Sequence, residues 1–204
     1  MSDNLAKEKY SRFSPGRYGI LIDFETSGSD VTNKNHGIYQ GISFGALMVD
    51  MANFEVVDSI YREIKFDETK YQWTKSAEEI HGFTREYLAE NGISQEDALA
   101  DLMGWIMKWI YVPEKLFVMG HNVPFDQIFI RQLFEIGGLD INFHHIHIDT
   151  SPIAYFLVQE YRSDVVFDLF AGTERDTHNA LDDCWACYET LKTIKTIFMK
   201  GMNK

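Results

Sequence analysis

The chain predicts an α/β fold, a mixed five-stranded sheet with helices on both faces. Two observations carry this. Short apolar runs of strand character recur at residues 19–24, 42–49, 56–64, 116–119 and 146–148. Between and beyond them lie longer segments whose apolar residues return every three or four positions, the helical period. The size agrees, since 204 residues, 45% apolar and 14% aromatic, suit one domain with a sizeable core. The expected division is a basic and aromatic leader over 1–18, mobile or strand-binding, and a single domain over 19–200.

The first strand, 19–24, ends in Asp23-Phe24-Glu25. Side chains alternate along a strand, so Asp23 and Glu25 leave one face while Ile22 and Phe24 enter the other. A polar connection over 27–37 follows, suited to the rim of a groove. Asp50-Met51-Ala52-Asn53 suits a hairpin turn between the second and third strands. A short helix is expected over 76–81. Ser94, with Glu96 and Asp97 behind it, opens a helix over 95–110 whose inward stripe is Leu99, Leu102, Met103, Ile106 and Ile110. The buried strand 116–119 leads into a helix over 124–137, with Pro124 in its first turn and Gly137-Gly138 at its end. Its stripe is Asp126, Phe129, Ile130 and Leu133, so Asp126 points inward. After the strand 146–148 comes a helix over 151–159. Residues 162–177 contain Ala171-Gly172-Thr173-Glu174-Arg175-Asp176 in place of a long regular helix. In the last helix Ala180, Cys184, Cys187, Leu191, Ile194 and Phe198 keep helical spacing, and Asp183 lies at the edge of that face in the first turn.

Four acids thus point where apolar residues belong. A buried ion without compensation costs several kcal/mol, so converging carboxylates call for a counter-charge. Oxygen donors suit Mg²⁺ or Mn²⁺, whereas zinc usually takes histidine or cysteine as well. Two such ions would balance four carboxylates and could hold a phosphodiester for hydrolysis. Five residues along a helix turn about 500°, so His178 and Asp183 cannot share a helical face. If His178 precedes the helix, with Asn179 at the cap, it can lean over the metals as general base. An imidazole with a pKa near the ordinary value of about 6.5 implies activity that falls as pH drops through that range.

These residues form ordered motifs: Asp23-Phe24-Glu25-Thr26-Ser27-Gly28, then His121-Asn122-Val123-Pro124-Phe125-Asp126, then His178-Asn179-Ala180-Leu181-Asp182-Asp183. His81-Gly82-Phe83-Thr84 and Asp149-Thr150 lie between them. In this order the chain resembles the DnaQ-like, DEDDh-type 3′-to-5′ exonucleases of the ribonuclease H-like superfamily, over about residues 17 to 190. The resemblance implies Asp23, Glu25, Asp126 and Asp183 as ligands of two Mg²⁺ or Mn²⁺ ions and His178 as base. It places Thr26 at the terminal nucleotide, with Phe24, Asn122 and Phe83 as further substrate contacts. Asp182 is expected to face solvent, and His121 to position the second-motif loop. The implied activity is release of nucleoside 5′-monophosphates from single-stranded 3′ ends, with DNA slightly favoured. An RNA trimmer resembling ribonuclease T or oligoribonuclease is the first alternative, and a non-catalytic nucleic-acid-binding or interaction module the second.

A net charge of −12 argues against a grip on long duplexes. The charge is uneven, however. Lys7, Lys9, Arg12 and Arg17 outnumber the acids of residues 1–18, and four lysines face one glutamate over 184–204. An enzyme at a strand end holds only a few nucleotides and tolerates an acidic exterior. Cys184 and Cys187 form a C-x-x-C pair with no second pair to complete a zinc site, and both fall on an apolar helix face as small hydrophobes. His144, His145 and His147 lack a fourth ligand and are expected as partly exposed strand histidines. No membrane-length apolar run or signal-peptide core is present, which suggests a cytoplasmic protein without membrane contact.

Overall fold

In a computed structural model of the chain, residues 16–29, 37–111, 115–172 and 178–202 are described. Most of the leader, and the stretches 30–36 and 173–177 of the two connections discussed above, lie outside the described residues. The strands are β1 (Tyr18–Thr26), β2 (Gly41–Asp50), β3 (Glu55–Glu63), β4 (Val118–Gly120) and β5 (Ile148–Asp149). Among the described residues the helices are α1 (Lys75–His81), α2 (Arg85–Asn91), α3 (Gln95–Met107), α4 (Val123–Ile136), α5 (Thr150–Val158), α6 (Ser163–Ala171) and α7 (Ala180–Met202).

One sheet runs β3-β2-β1-β4-β5. β1 pairs antiparallel with β2, and β2 with β3, while β4 runs parallel to β1 and to β5. The mixed sheet expected from the alternation is therefore present, and strand alternation divides the core in two. Ile20, Ile22 and Phe24 of β1 join Phe44, Ala46 and Met48 of β2 under α3 and α4. Leu21 joins Leu47, Val49 and Met119 under α5, α6 and α7 on the other face. At about 25 cal/mol per Å² of apolar surface buried, these two layers are the main source of stability. None of the described helices is long and apolar enough to cross a membrane.

Several expectations shift. Tyr18 already belongs to β1, and Arg17 pairs with Asp50 at 2.7 Å. The third helix ends at Met107, with Trp105 buried in its stripe. Residues 163–171 form a nine-residue helix, shorter than the long regular helix whose absence was expected; its Val166 and Phe167 are buried, and Gly172 at φ 64° ends it. The fifth strand shrinks to two residues, and the histidines before it lie in irregular chain with a bend at His145, where His144 Nδ1 accepts the Ile146 N–H at 3.1 Å. Cys184 and Cys187 are buried on α7.

Candidate active site

Asp23 and Glu25 stand at the C-terminal end of β1, on the face covered by α7. Beyond Leu21↔Met119 the parallel pairing with β4 stops, so the strand edge opens. Asp126 fills that opening from the opposite face: its Oδ1 accepts the Phe24 N–H at 3.1 Å. Asp126 is 2% exposed. Burial holds its carboxyl pKa well above the usual range, the Phe24 hydrogen bond opposes this, and Asp149 and Glu25 add repulsion.

The start of α7 brings the third motif. Asn179 caps the helix, its Oδ1 accepting the Leu181 N–H at 3.0 Å and its carbonyl the Asp183 N–H at 2.9 Å. His178 therefore precedes the helix and is free of its periodicity. Its Nδ1 lies 3.9 Å from Asp183 Oδ2. Asp182 faces solvent while Asp183 is buried. One donor atom each from Glu25, His178 and Asp183 lie within 4.8 Å of one another. Asp23 and Asp126 are outside that cluster but close by. Burial raises the Cys184 thiol pKa, and the charges of Asp23, Asp126 and Asp183 raise it further. The carboxylates thus share one electrostatic neighbourhood. The carboxylates of Glu25 and Asp183, with Asp23 and Asp126 bordering them, form an oxygen donor set that fits a divalent cation, and the His178 imidazole stands beside it.

Two positions that sequence reasoning missed hold this arrangement. Gly45 lies opposite Asp23 across β1 and β2. A Cβ there would meet the backbone of Ala180 and Leu181, so only glycine lets the first turn of α7 rest on the sheet. Cys184 Sγ donates to the Gly45 carbonyl at 3.1 Å from the same turn. Asp149 caps α4 from a distance, accepting the Asn122 N–H at 2.9 Å, Val123 N–H at 3.0 Å and Ser151 N–H at 2.9 Å. It thereby fixes the helix that carries Asp126. The Asp149-Thr150 pair was visible as a motif echo, but nothing local assigns it this task. Gly45 leaves no signal in its own segment.

The remaining candidates divide. His121 bonds the Thr150 hydroxyl at 2.8 Å through Nδ1 and donates from Nε2 to the Tyr161 carbonyl at 2.7 Å, tying the second-motif loop to α5 and the segment after it. Asn122 is exposed at φ 62°. Phe83 is half-buried and stacks on Tyr87 with ring centroids 5.7 Å apart. Thr26 is buried, its hydroxyl donating to the Gly28 carbonyl at 3.0 Å, so it shapes the turn after β1. Phe24 is not available to a substrate, because strand alternation turns it into the core between Phe44 and Phe129. His81 is buried beside this region, and burial pushes its pKa down to about 4.

A family model described as "Exonuclease", of the RNase T type, matches residues 20–191. The chain belongs to the exonuclease family. Its matched segment is an exonuclease domain of the DnaQ-like 3′-to-5′ kind with a ribonuclease H-like fold. No curated protein sequence gives a significant match. Among solved structures, the exonuclease domain resembles E. coli exonuclease I in complex with a dT13 oligonucleotide, with a TM-score of 0.73 and 18% identity over 92% of this chain and 43% of that one. It also resembles the zinc-bound form of the E. coli exonuclease I complex with single-stranded DNA, with TM-score 0.68 and 20% identity over 88% and 40%. A 3′-exonuclease from a study of histone mRNA stem-loop recognition gives TM-score 0.64 and 13% identity over 92% and 69%. These likenesses establish the fold. The exonuclease domain spans about two fifths of the exonuclease I chains.

Proposed function

We propose that this protein is a divalent-metal-dependent 3′-to-5′ exonuclease that releases nucleoside 5′-monophosphates from single-stranded 3′ ends, with DNA slightly favoured. The observation that carries the proposal is the convergence of Glu25, Asp183 and His178, from β1 and from the start of α7, within 4.8 Å. Asp23 and the buried Asp126 flank it. Asp23, Glu25, Asp126 and Asp183 would hold Mg²⁺ or Mn²⁺. Such ions supply positive charge that offsets the carboxylates and polarise the scissile phosphodiester. His178 takes the proton of the attacking water, and Asp183, 3.9 Å from its Nδ1, stabilises the imidazolium that results. The half-buried face of Phe83 offers a stacking surface beside the terminal base. The preference for DNA draws on the oligonucleotide-bound exonuclease I structures, whose TM-scores exceed that of the histone mRNA 3′-exonuclease.

The test is digestion of 5′-labelled DNA and RNA oligomers side by side, with Mg²⁺, with Mn²⁺ and with EDTA, resolved to one nucleotide. The expected result is a metal-dependent ladder, stronger on DNA. A ladder confined to RNA overturns the substrate preference. Intact 3′ ends under every condition, with binding retained, identify a non-catalytic binding module instead. Asp23→Ala and His178→Ala proteins are expected to bind both oligomers and to lose at least about 10²-fold in kcat.

A further inference from the structure

The last residue of α1 holds a hydrogen-bond donor to which the hydrolytic machinery gives no task. His81 is 7% exposed, and its Nδ1 accepts the Phe83 N–H at 3.0 Å. Gly82, at φ 74°, ends the helix and turns that N–H back onto the ring. Burial pushes the His81 pKa down to about 4; the charge of nearby His178 lowers it too, which Glu78 opposes, so the ring is neutral above that pH. With Nδ1 occupied as an acceptor, the one proton of the neutral ring sits on Nε2. That Nε2 is buried and has no hydrogen-bond partner among the described residues. Native structures rarely leave a buried donor unpaired, and each instance calls for a partner.

The ring cannot swing away to find one. Phe83 packs on it with centroids 5.5 Å apart, and Trp73 stands against it at 5.5 Å with the planes 78° apart. Trp73 is itself held, its Nε1 donating to Glu78 at 2.6 Å. The N-cap of α1 is tied to the turn after β1, because the Thr74 N–H donates to the Ser27 carbonyl at 2.8 Å. The donor is therefore fixed beside the general base and the motif that carries Glu25.

We propose that the His81 Nε2–H donates to a non-bridging oxygen of the phosphodiester at this site, which makes His81 a further catalytic residue. The inference rests on the nucleolytic reading above. Asp23, Glu25, Asp126 and Asp183 are acceptors, and His178 must keep a lone pair to take a proton from water, so none of these side chains donates to the phosphate. A phosphoryl oxygen turned towards His178 needs its donor from another element. A neutral donor suits the place, since a second imidazolium would repel the one that forms on His178. The terminal base offers acceptors as well, but an anionic oxygen makes the stronger bond and better repays a desolvated N–H.

The test takes thymidine 5′-monophosphate and thymidine as uncleaved probes of the intact protein with Mg²⁺. Nitrogen-15 histidine spectra should place the His81 proton on Nε2, and its resonance should move with the monophosphate and stay with the nucleoside. His81→Asn keeps an acceptor near the Nδ1 position and loses the Nε2 donor, whereas His81→Gln carries an amide to the Nε2 position. The Asn variant should bind the monophosphate at least about tenfold more weakly and thymidine equally well, and should lose at least about tenfold in kcat on single-stranded oligomers, with the Gln variant recovering part of both. A resonance unmoved by the monophosphate, or equal losses for monophosphate and nucleoside, overturns the proposal. A wild type that cuts oligomers no faster than His81→Asn overturns it and leaves the hydrolytic reading intact. A wild type that shows the monophosphate response but cuts nothing overturns the hydrolytic reading and leaves the phosphate contact standing.

Discussion

Gly45 shapes the site by what it lacks. Its β2 position faces the first turn of α7, and a methyl group there cannot fit without moving backbone. Gly45→Ala should therefore displace Asp183 and His178 from Glu25. Overpacking costs about 1–3 kcal/mol, and a shift near 1 Å at a reacting centre costs about 10²-fold. The expected outcome is a kcat lower by about that factor in a protein that still folds, measured by single-turnover digestion and thermal unfolding. A variant with wild-type kcat would show that α7 can retreat without disturbing the cluster. His81 makes a different kind of prediction. Its folded pKa, about 4, lies below the ordinary histidine value, and its Nδ1 accepts the Phe83 N–H at 3.0 Å. The fold thus favours the neutral ring, whose contribution is complete above about pH 6.5 and is lost as pH falls towards 4. Urea midpoints of wild type and His81→Asn should converge across that window, with wild type falling more steeply; parallel curves would assign the acid sensitivity to other groups.

At the scale of elements, caps and buried stripes decide which segments form. Ser94 Oγ accepts the Asp97 N–H at 3.0 Å and opens α3, whose buried face carries Leu99, Leu102 and Ile106. Ser94→Ala should cost about 1 kcal/mol, or roughly 2–4 °C in Tm for a domain of this size, with kcat unchanged. A larger loss, with altered kcat, would mean that α3 supports the site as well as the core. These same signals explain what was legible in the sequence. β1 to β3, α3 and α4 announce themselves through short apolar runs, a serine cap, a first-turn proline and apolar stripes at helical spacing. α2 does not, because only Leu88 is buried along it and one residue has no period. The apolar residues of α6, Val165-Val166-Phe167 with Leu169-Phe170, are too dense to separate one face from another, while the glycine after it looks like loop. The motif acids were legible because their order is linear. Gly45 and Asp149 were not, because each acts on a partner distant in sequence, Leu181 for one and Asn122 and Val123 for the other.

Across the whole molecule, the candidate site is assembled from both sides of one sheet. Asp126 descends from α4 on the face of the first core layer, Asp183 and His178 come from α7 on the other, and Asp23 and Glu25 lie on the strand between. A cation bound by these side chains would tie together layers on opposite faces of the sheet, so its binding energy becomes folding energy. A ligand at about 100 times its Kd adds about 2.7 kcal/mol. For a domain of about 200 residues that corresponds to a rise of roughly 5–11 °C in Tm. MgCl₂ or MnCl₂ should produce this rise over NaCl of matched ionic strength, and EDTA should reverse it. Asp183→Asn removes one charge from the crowded cluster, so its metal-free Tm should equal or exceed that of wild type, while its response to metal should shrink by more than half. If Asp183→Asn and wild type gained the same number of degrees from Mg²⁺ or Mn²⁺, the ion would be binding elsewhere, and the convergence of these carboxylates would need a different explanation.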